Sequence, residues 1–222
     1  MANQKSNKRG GFYFHNGLPY ASVTGILQII DKPALRFWFG REVYWATVRT
    51  PGIGEKEALA APWSVSGKAK NRGTTVHSIV ESFKETGRVL TPENAEYQGY
   101  ATAFDTWVKE YQAVILEHEK TVVNEKEGYG GTLDLHLKVG GDDCIIDVKT
   151  GKDIYMESGL QLSAYKHCDG MDIKRIGVLL LMPEGVYKFQ WMEDDFEAFL
   201  AAKKLWEWSN KDMLAKVNYY RR

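Results

Sequence analysis

The sequence predicts an α/β fold: a central mixed β-sheet flanked by helices, behind a helical N-terminal portion. Three observations predict it. Apolar residues recur at helical spacing up to about residue 112 and at a period of two beyond it. After that switch the order is antiparallel strands, a helix, two strands and a helix, which suits one sheet with helices packed on it. The 222 residues, 44% hydrophobic and 26% charged, can build one sizeable core and lack the bias of a disordered chain.

The elements follow in order. Residues 1–10 are polar and basic without periodicity and read as a disordered arm, leaving 11–222 as a single domain, mainly helical over 11–112 and sheet-containing over 113–222. Residues 12–14 and 18–21 flank His15-Asn16-Gly17, whose Asn-Gly pair suits a tight hairpin. Ser22 or Thr24 can cap a short helix through Ile30, and Pro33 opens a second helix to about Arg49, dense in aromatic residues. Residues 50–62, with Pro51, Gly52, Gly54 and Pro62, read as a loop. A third helix from Thr74 or Thr75 carries Val76, Val80 and Phe83 on one side until Gly87, and a fourth runs from Pro92 or Glu93 to about Gln112. Strands are expected at 114–119, 121–125, 131–139 and 144–149, the last two joined by Gly140-Gly141. A helix at 156–168, strands at 176–182 and 186–191, and a helix at 195–216 complete the chain.

Composition excludes several classes. Cys144 and Cys168 alone cannot form a multi-disulfide scaffold or a four-cysteine metal site. The longest apolar run, 176–182, is far short of the roughly 20 residues that cross a bilayer, and the first residues lack an apolar signal core, so a cytoplasmic location is expected. The formal net charge of zero hides a segregation: residues 1–80 hold 11 Lys and Arg against 4 Asp and Glu, leaving 18 against 25 in the remainder. A basic part suits a polyanion and an acidic part a cation, although a solvated basic face would look the same.

The chemistry concentrates in one hairpin. With Gly140 and Gly141 as turn residues, Asp134 falls directly opposite Asp147, and Lys149 shares their face, while Leu133, Leu135, Ile146 and Val148 point to the other. Like charges directly across a strand pair are destabilising, so something must compensate. A divalent cation is the natural candidate, Mg2+ or Mn2+ for oxygen ligands; separate solvation, or pairing to Lys149 or Lys138, is the alternative.

These residues resemble the PD-(D/E)XK nuclease superfamily, in particular its RecB-type and phage exonuclease-like branch without an iron-sulfur cluster. The resemblance rests on Gly130-Gly131-Thr132-Leu133-Asp134, Asp147-Val148-Lys149-Thr150-Gly151-Lys152, and Gln161-Leu162-Ser163-Ala164-Tyr165, preceded by residues 73–81 with His77. Leu133 stands where the family's nominal proline would be. The resemblance implies a restriction-endonuclease-like core and a Mg2+- or Mn2+-dependent DNA exonuclease acting in phage recombination, replication or repair, in the host cytoplasm. It implies that Asp134, Asp147, His77 and the Val148 carbonyl hold the metal. Lys149 would act on the attacking water, and Gln161 and Tyr165 would line the site against Lys149 or the DNA backbone. Glu81 could orient His77, and Glu117 could be an additional acid near the metal. Lys68, Lys70 and Arg72, just ahead of His77, could hold DNA phosphates. Trp38, Trp45 and Trp63 could stack on unpaired bases, though aromatics at helical spacing commonly belong to a core. A homo-oligomer or a recombination partner protein is also within what the resemblance implies. The rival readings are a non-catalytic nucleic-acid-binding subunit, a structure-specific endonuclease, and a carboxylate-pair glycoside hydrolase.

Overall fold

The computed structural model describes residues 8–86 and 92–221. Most of the expected basic arm and the expected helix end at Gly87 lie outside them. Residues inside the arm that are described take a definite form: β1 (Lys8–Arg9) pairs antiparallel with β2 (Phe12–His15), which turns at Asn16-Gly17 into β3 (Leu18–Ser22). The Ser22 hydroxyl then caps α1 (Val23–Ile26) by accepting from the Gly25 N–H at 3.4 Å.

Pro33 begins α2 (Pro33–Arg49) as the sequence predicts. The expected loop at 50–62 is confined to 50–54, because α3 runs unbroken over Glu55–Thr86 with Pro62 inside it. Proline at this position removes the single N–H that would reach the carbonyl of Ala58. That loss does not end a helix whose first turn carries Glu55 and Glu57 against the helix dipole and continues through Leu59-Ala60-Ala61. After a short 3-10 turn at Ala95–Tyr97 comes α4 (Gln98–Tyr111).

The sheet-building half follows as β4 (Val114–Asn124), β5 (Tyr129–Val139), β6 (Asp142–Lys149), α5 (Met156–Lys166), β7 (Arg175–Leu181) and β8 (Tyr187–Met192). The two strands expected at 114–125 are one, β4, with Glu119 at a φ of 46° where the break was expected. The expected last helix divides at Asn210 into α6 (Phe196–Ser209) and α7 (Lys211–Lys216).

Eight strands among the described residues form one mixed sheet, ordered β1-β2-β3-β5-β6-β7-β8, with β4 on the remaining edge of β5. The Gly140-Gly141 turn, both residues at positive φ, sets the register of β5 against β6, from Val139↔Asp142 to Leu135↔Ile146. Helices cover both faces. One cluster joins Val23, Ile26, Leu162, Tyr165, Phe199 and Trp206 to Leu133, Ile145 and Val178 of the sheet. The other joins Val76, Val80, Phe104 and Trp107 to Leu135, Ile146, Val148 and Leu179. The face expected to be polar is therefore buried under α5 and α6 along most of its length, with Ile145 two residues ahead of Asp147. Leu133, expected beside Leu135, packs with the first cluster instead.

One feature of the topology positions the site. Along the edge of β5 away from β4, β3 pairs in parallel at Tyr129 and Gly130, and β6 pairs only from Leu135 onward. Between them, residues 131–134 have no ladder partner on that edge. The sheet forks there, and side chains enter the fork.

Candidate active site

Asp134 is the last residue of that gap. The register carries it opposite Asp147, yet the ladder has ended, and Asp134 Oδ2 accepts the backbone N–H of Val148 at 2.7 Å. On the other edge, the pairing of His118 with Leu135 and Lys120 with Leu133 carries Glu119 opposite Asp134. Three carboxylates, Glu119, Asp134 and Asp147, thus occupy one row across β4, β5 and β6. Without cations this row would repel itself strongly.

Two cations meet it. Lys149 Nζ donates to Asp147 Oδ1 at 2.8 Å and lies 2.7 Å from Oδ2. From α3, the His77 ring places Nδ1 3.2 Å from Glu119 Oε1 and 3.8 Å from Asp134 Oδ1, with Nε2 3.2 Å from the Val148 carbonyl oxygen. Burial opposes a charge on His77, but the Glu119 hydrogen bond and the Asp134 charge outweigh it and raise its pKa to about 9. Burial, joined by the Asp147 charge, pushes Asp134 up to about 7. For Lys149, burial is again outweighed, by Asp147 and Asp134, and its pKa is raised.

His77, Glu119 and Asp134 bring ligand atoms within 4.8 Å of one another. Asp147, held by Lys149, lies outside this trio. Its Oδ2 is buried and has the Lys149 ammonium 2.7 Å away as its charge partner. The donor set of carboxylates, one carbonyl and one imidazole fits Mg2+ or Mn2+.

The second face contributes α5. Gln161 Nε2 approaches Asp147 Oδ1 at 3.4 Å and the Tyr165 hydroxyl at 3.3 Å, so Gln161 contacts Asp147 and not Lys149. Burial drives the Tyr165 pKa well up, which keeps the phenol neutral. The Tyr165 ring lies against Gly131, where a methyl group would overlap it. Gly131→Ala is expected to destabilise the protein by about 1–3 kcal/mol by overpacking and to displace Tyr165. Thermal unfolding checks this, and an unchanged midpoint would mean that the ring moves aside without cost.

Glu117 is not part of the site. A shift of register between Ile115 and Glu117 brings it opposite His136, and its carboxylate binds His136 Nδ1 at 3.1 Å and Lys120 Nζ at 2.6 Å. Those partners outweigh its burial and lower its pKa. Glu119 takes the place expected for it. Glu81 does not orient His77 either: it lies 3.6 Å from His118 Nδ1, and Glu119 holds the His77 ring. Glu81 does line, with Gly73, Thr74, His77, Ser78 and Glu119, a cleft of about 400 Å³ at the His77 and Glu119 side of the trio.

The three basic residues ahead of His77 separate. Lys68 and Lys70 are exposed, and Lys70, seven residues before His77, falls on the same side of α3. Arg72 sits four residues before the buried Val76. Arg72 is partly exposed, with its Nε buried and without an acceptor among the described residues.

No family model and no curated protein matches the chain. Among solved structures it is similar to an alkaline exonuclease, LHK-Exo, from Laribacter hongkongensis, with 13% identity, a TM-score of 0.49, and coverage of 91% of this chain and 92% of the other. It is likewise similar to the same protein in complex with dAMP, with 14% identity, a TM-score of 0.48 and the same coverage.

Proposed function

We propose that this protein is a nuclease of the PD-(D/E)XK type that hydrolyses phosphodiester bonds in DNA with the help of Mg2+ or Mn2+. The observation that carries the reading is the row of Glu119, Asp134 and Asp147 met by His77 from one face and Lys149 from within β6. The exonuclease reading and a role in phage DNA metabolism rest on the sequence resemblance.

Asp134, Asp147, His77 and the Val148 carbonyl would hold the ion, with Glu119 as a further carboxylate. A divalent cation bound there supplies a nucleophilic water at neutral pH and charge stabilisation for the phosphoryl and leaving oxygens. Lys149 would orient the attacking water and stabilise a phosphoryl oxygen. Gln161 holds Asp147 and is held by Tyr165, which fixes the carboxylate from the α5 side. Lys70, exposed on the cleft side of α3, would take a phosphate of the incoming strand.

Incubating the protein with end-labelled linear and closed circular DNA, single- and double-stranded, with and without Mg2+ or Mn2+, tests the reading. Metal-dependent loss of linear DNA, with circles spared, is the expected result. Cleavage of circles would make it an endonuclease, and cleavage unaffected by EDTA would remove the metal.

A further inference from the structure

The helix α2 contributes no buried residue to the core. Phe37, Tyr44 and Trp63 are 76%, 60% and 67% exposed. Trp63 touches Phe39 edge to face at 5.0 Å but leaves most of its indole surface open. Large aromatic side chains left this open on two adjacent helices suit a partner that covers them.

Charge and geometry say which partner. Between Pro33 and Arg72 the sequence carries seven Lys and Arg against three Glu. A second copy laid on this patch by a two-fold axis would bring net positive charge onto net positive charge. A polyanion with flat, unpaired rings matches both the charge and the open aromatic surfaces. Trp63, Lys70 and His77 follow one another at seven-residue intervals on α3, so all three fall near one line along that helix. From Trp63 to His77 the line spans about 21 Å of helix, the length of roughly six stacked bases.

We propose that α2 and the first half of α3 form a stacking surface for single-stranded nucleic acid, from which a strand end is led past Lys70 to the cleft at His77. This rests on the reading of that cleft as a phosphodiester-cleaving site. Stacking on Trp63 requires unpaired bases, so the surface selects single strands or frayed ends over intact duplex.

The test uses the full chain, in EDTA, with a fluorescein-labelled oligothymidylate and a labelled duplex of equal length followed by anisotropy. Trp63→Leu, which keeps an apolar side chain and removes the ring, should weaken single-strand binding roughly 5- to 100-fold with little effect on the duplex. Trp63→Phe should retain most of the affinity. With metal added, hydrolysis of bis(p-nitrophenyl) phosphate, too short to reach Trp63, should be equal in both variants and the parent. Single-strand affinity unchanged in Trp63→Leu would overturn the proposal, as would equal losses for single strand and duplex. So would a change of sedimentation coefficient with single-strand affinity retained, which would assign the patch to a second copy. If the Trp63 dependence holds but neither bis(p-nitrophenyl) phosphate nor DNA is hydrolysed, the nuclease reading fails and the stacking surface stands.

Discussion

Replacing Lys149 by alanine is expected to remove DNA cleavage while leaving divalent-metal affinity intact or raised, whereas Asp134→Asn or Asp147→Asn should lower both together. The separation follows from which atoms ligate. Lys149 occupies both oxygens of Asp147, at 2.8 and 2.7 Å, so its removal frees a carboxylate for the ion but deletes the donor that the proposed mechanism assigns to the phosphate. Loss of one such preorganised donor costs roughly 10²- to 10³-fold in rate. Metal-free Lys149→Ala should also unfold at lower temperature, since Asp134 and Asp147 then lose their nearby cation, and added Mn2+ should remove the difference. Calorimetric Mn2+ titration beside a cleavage assay measures both quantities. Wild-type cleavage by Lys149→Ala would end its assignment, and wild-type Mn2+ affinity in both aspartate variants would move the ion elsewhere.

Metal affinity should climb steeply with pH between about 7 and 9. Both shifted groups bind protons more tightly in the folded protein than in the unfolded chain: His77 is raised from 6.5 to about 9 and Asp134 from 3.8 to about 7. Their contribution to metal-free stability is fully present below the unfolded values and is lost as pH rises through the folded ones. The metal-free protein should therefore lose stability on their account from roughly pH 4 to pH 9. The ion requires the same protons to leave, so its affinity rises across the upper part of that range. From sequence alone the fall in affinity is expected below about 6.5, the ordinary histidine value; Glu119 and Asp134 move it upward. His77→Ala should flatten the steeper, upper part of the rise, weaken activity with either ion, and be rescued better by Mn2+ than by Mg2+, because imidazole is the softer ligand. A variant with wild-type Mn2+ affinity and an unchanged pH profile would exclude His77 from the site.

The hairpin was readable because a Gly-Gly turn fixes register over a short distance, and the pairing from Val139↔Asp142 to Leu135↔Ile146 follows it. Pro33 at the start of α2 and the strands β5 to β8 were readable for similar reasons, each being set by residues close in sequence. The choice of acid on β4 was not. Alternation puts Glu117 and Glu119 on the same face and so offers both; which of them lies level with Asp134 depends on the pairing register, which shifts by one near Ile115. Pro62 misled for a different reason: it is a strong local signal that the tertiary context and the surrounding helix formers override.

The fork in β5 also bears on how the chain reaches its native state. The strand β3 that closes one side of the fork pairs Ala21 with Tyr129 and Ser22 with Gly130, partners more than a hundred residues apart. Strands β4 to β8, by contrast, are joined by short connections or by the single helix α5. Closing a long loop delays the contacts it brings, and parallel pairing across such a separation is slow to form. The N-terminal hairpin is thus expected to dock late, onto a sheet already assembled, and with it arrives Tyr13, whose hydroxyl bonds Thr132 at 3.2 Å inside the fork. The hairpin precedes β5 in the chain yet must wait for it, so the carboxylate row is expected to form before the wall beside it does, and closure of the site is expected late in folding.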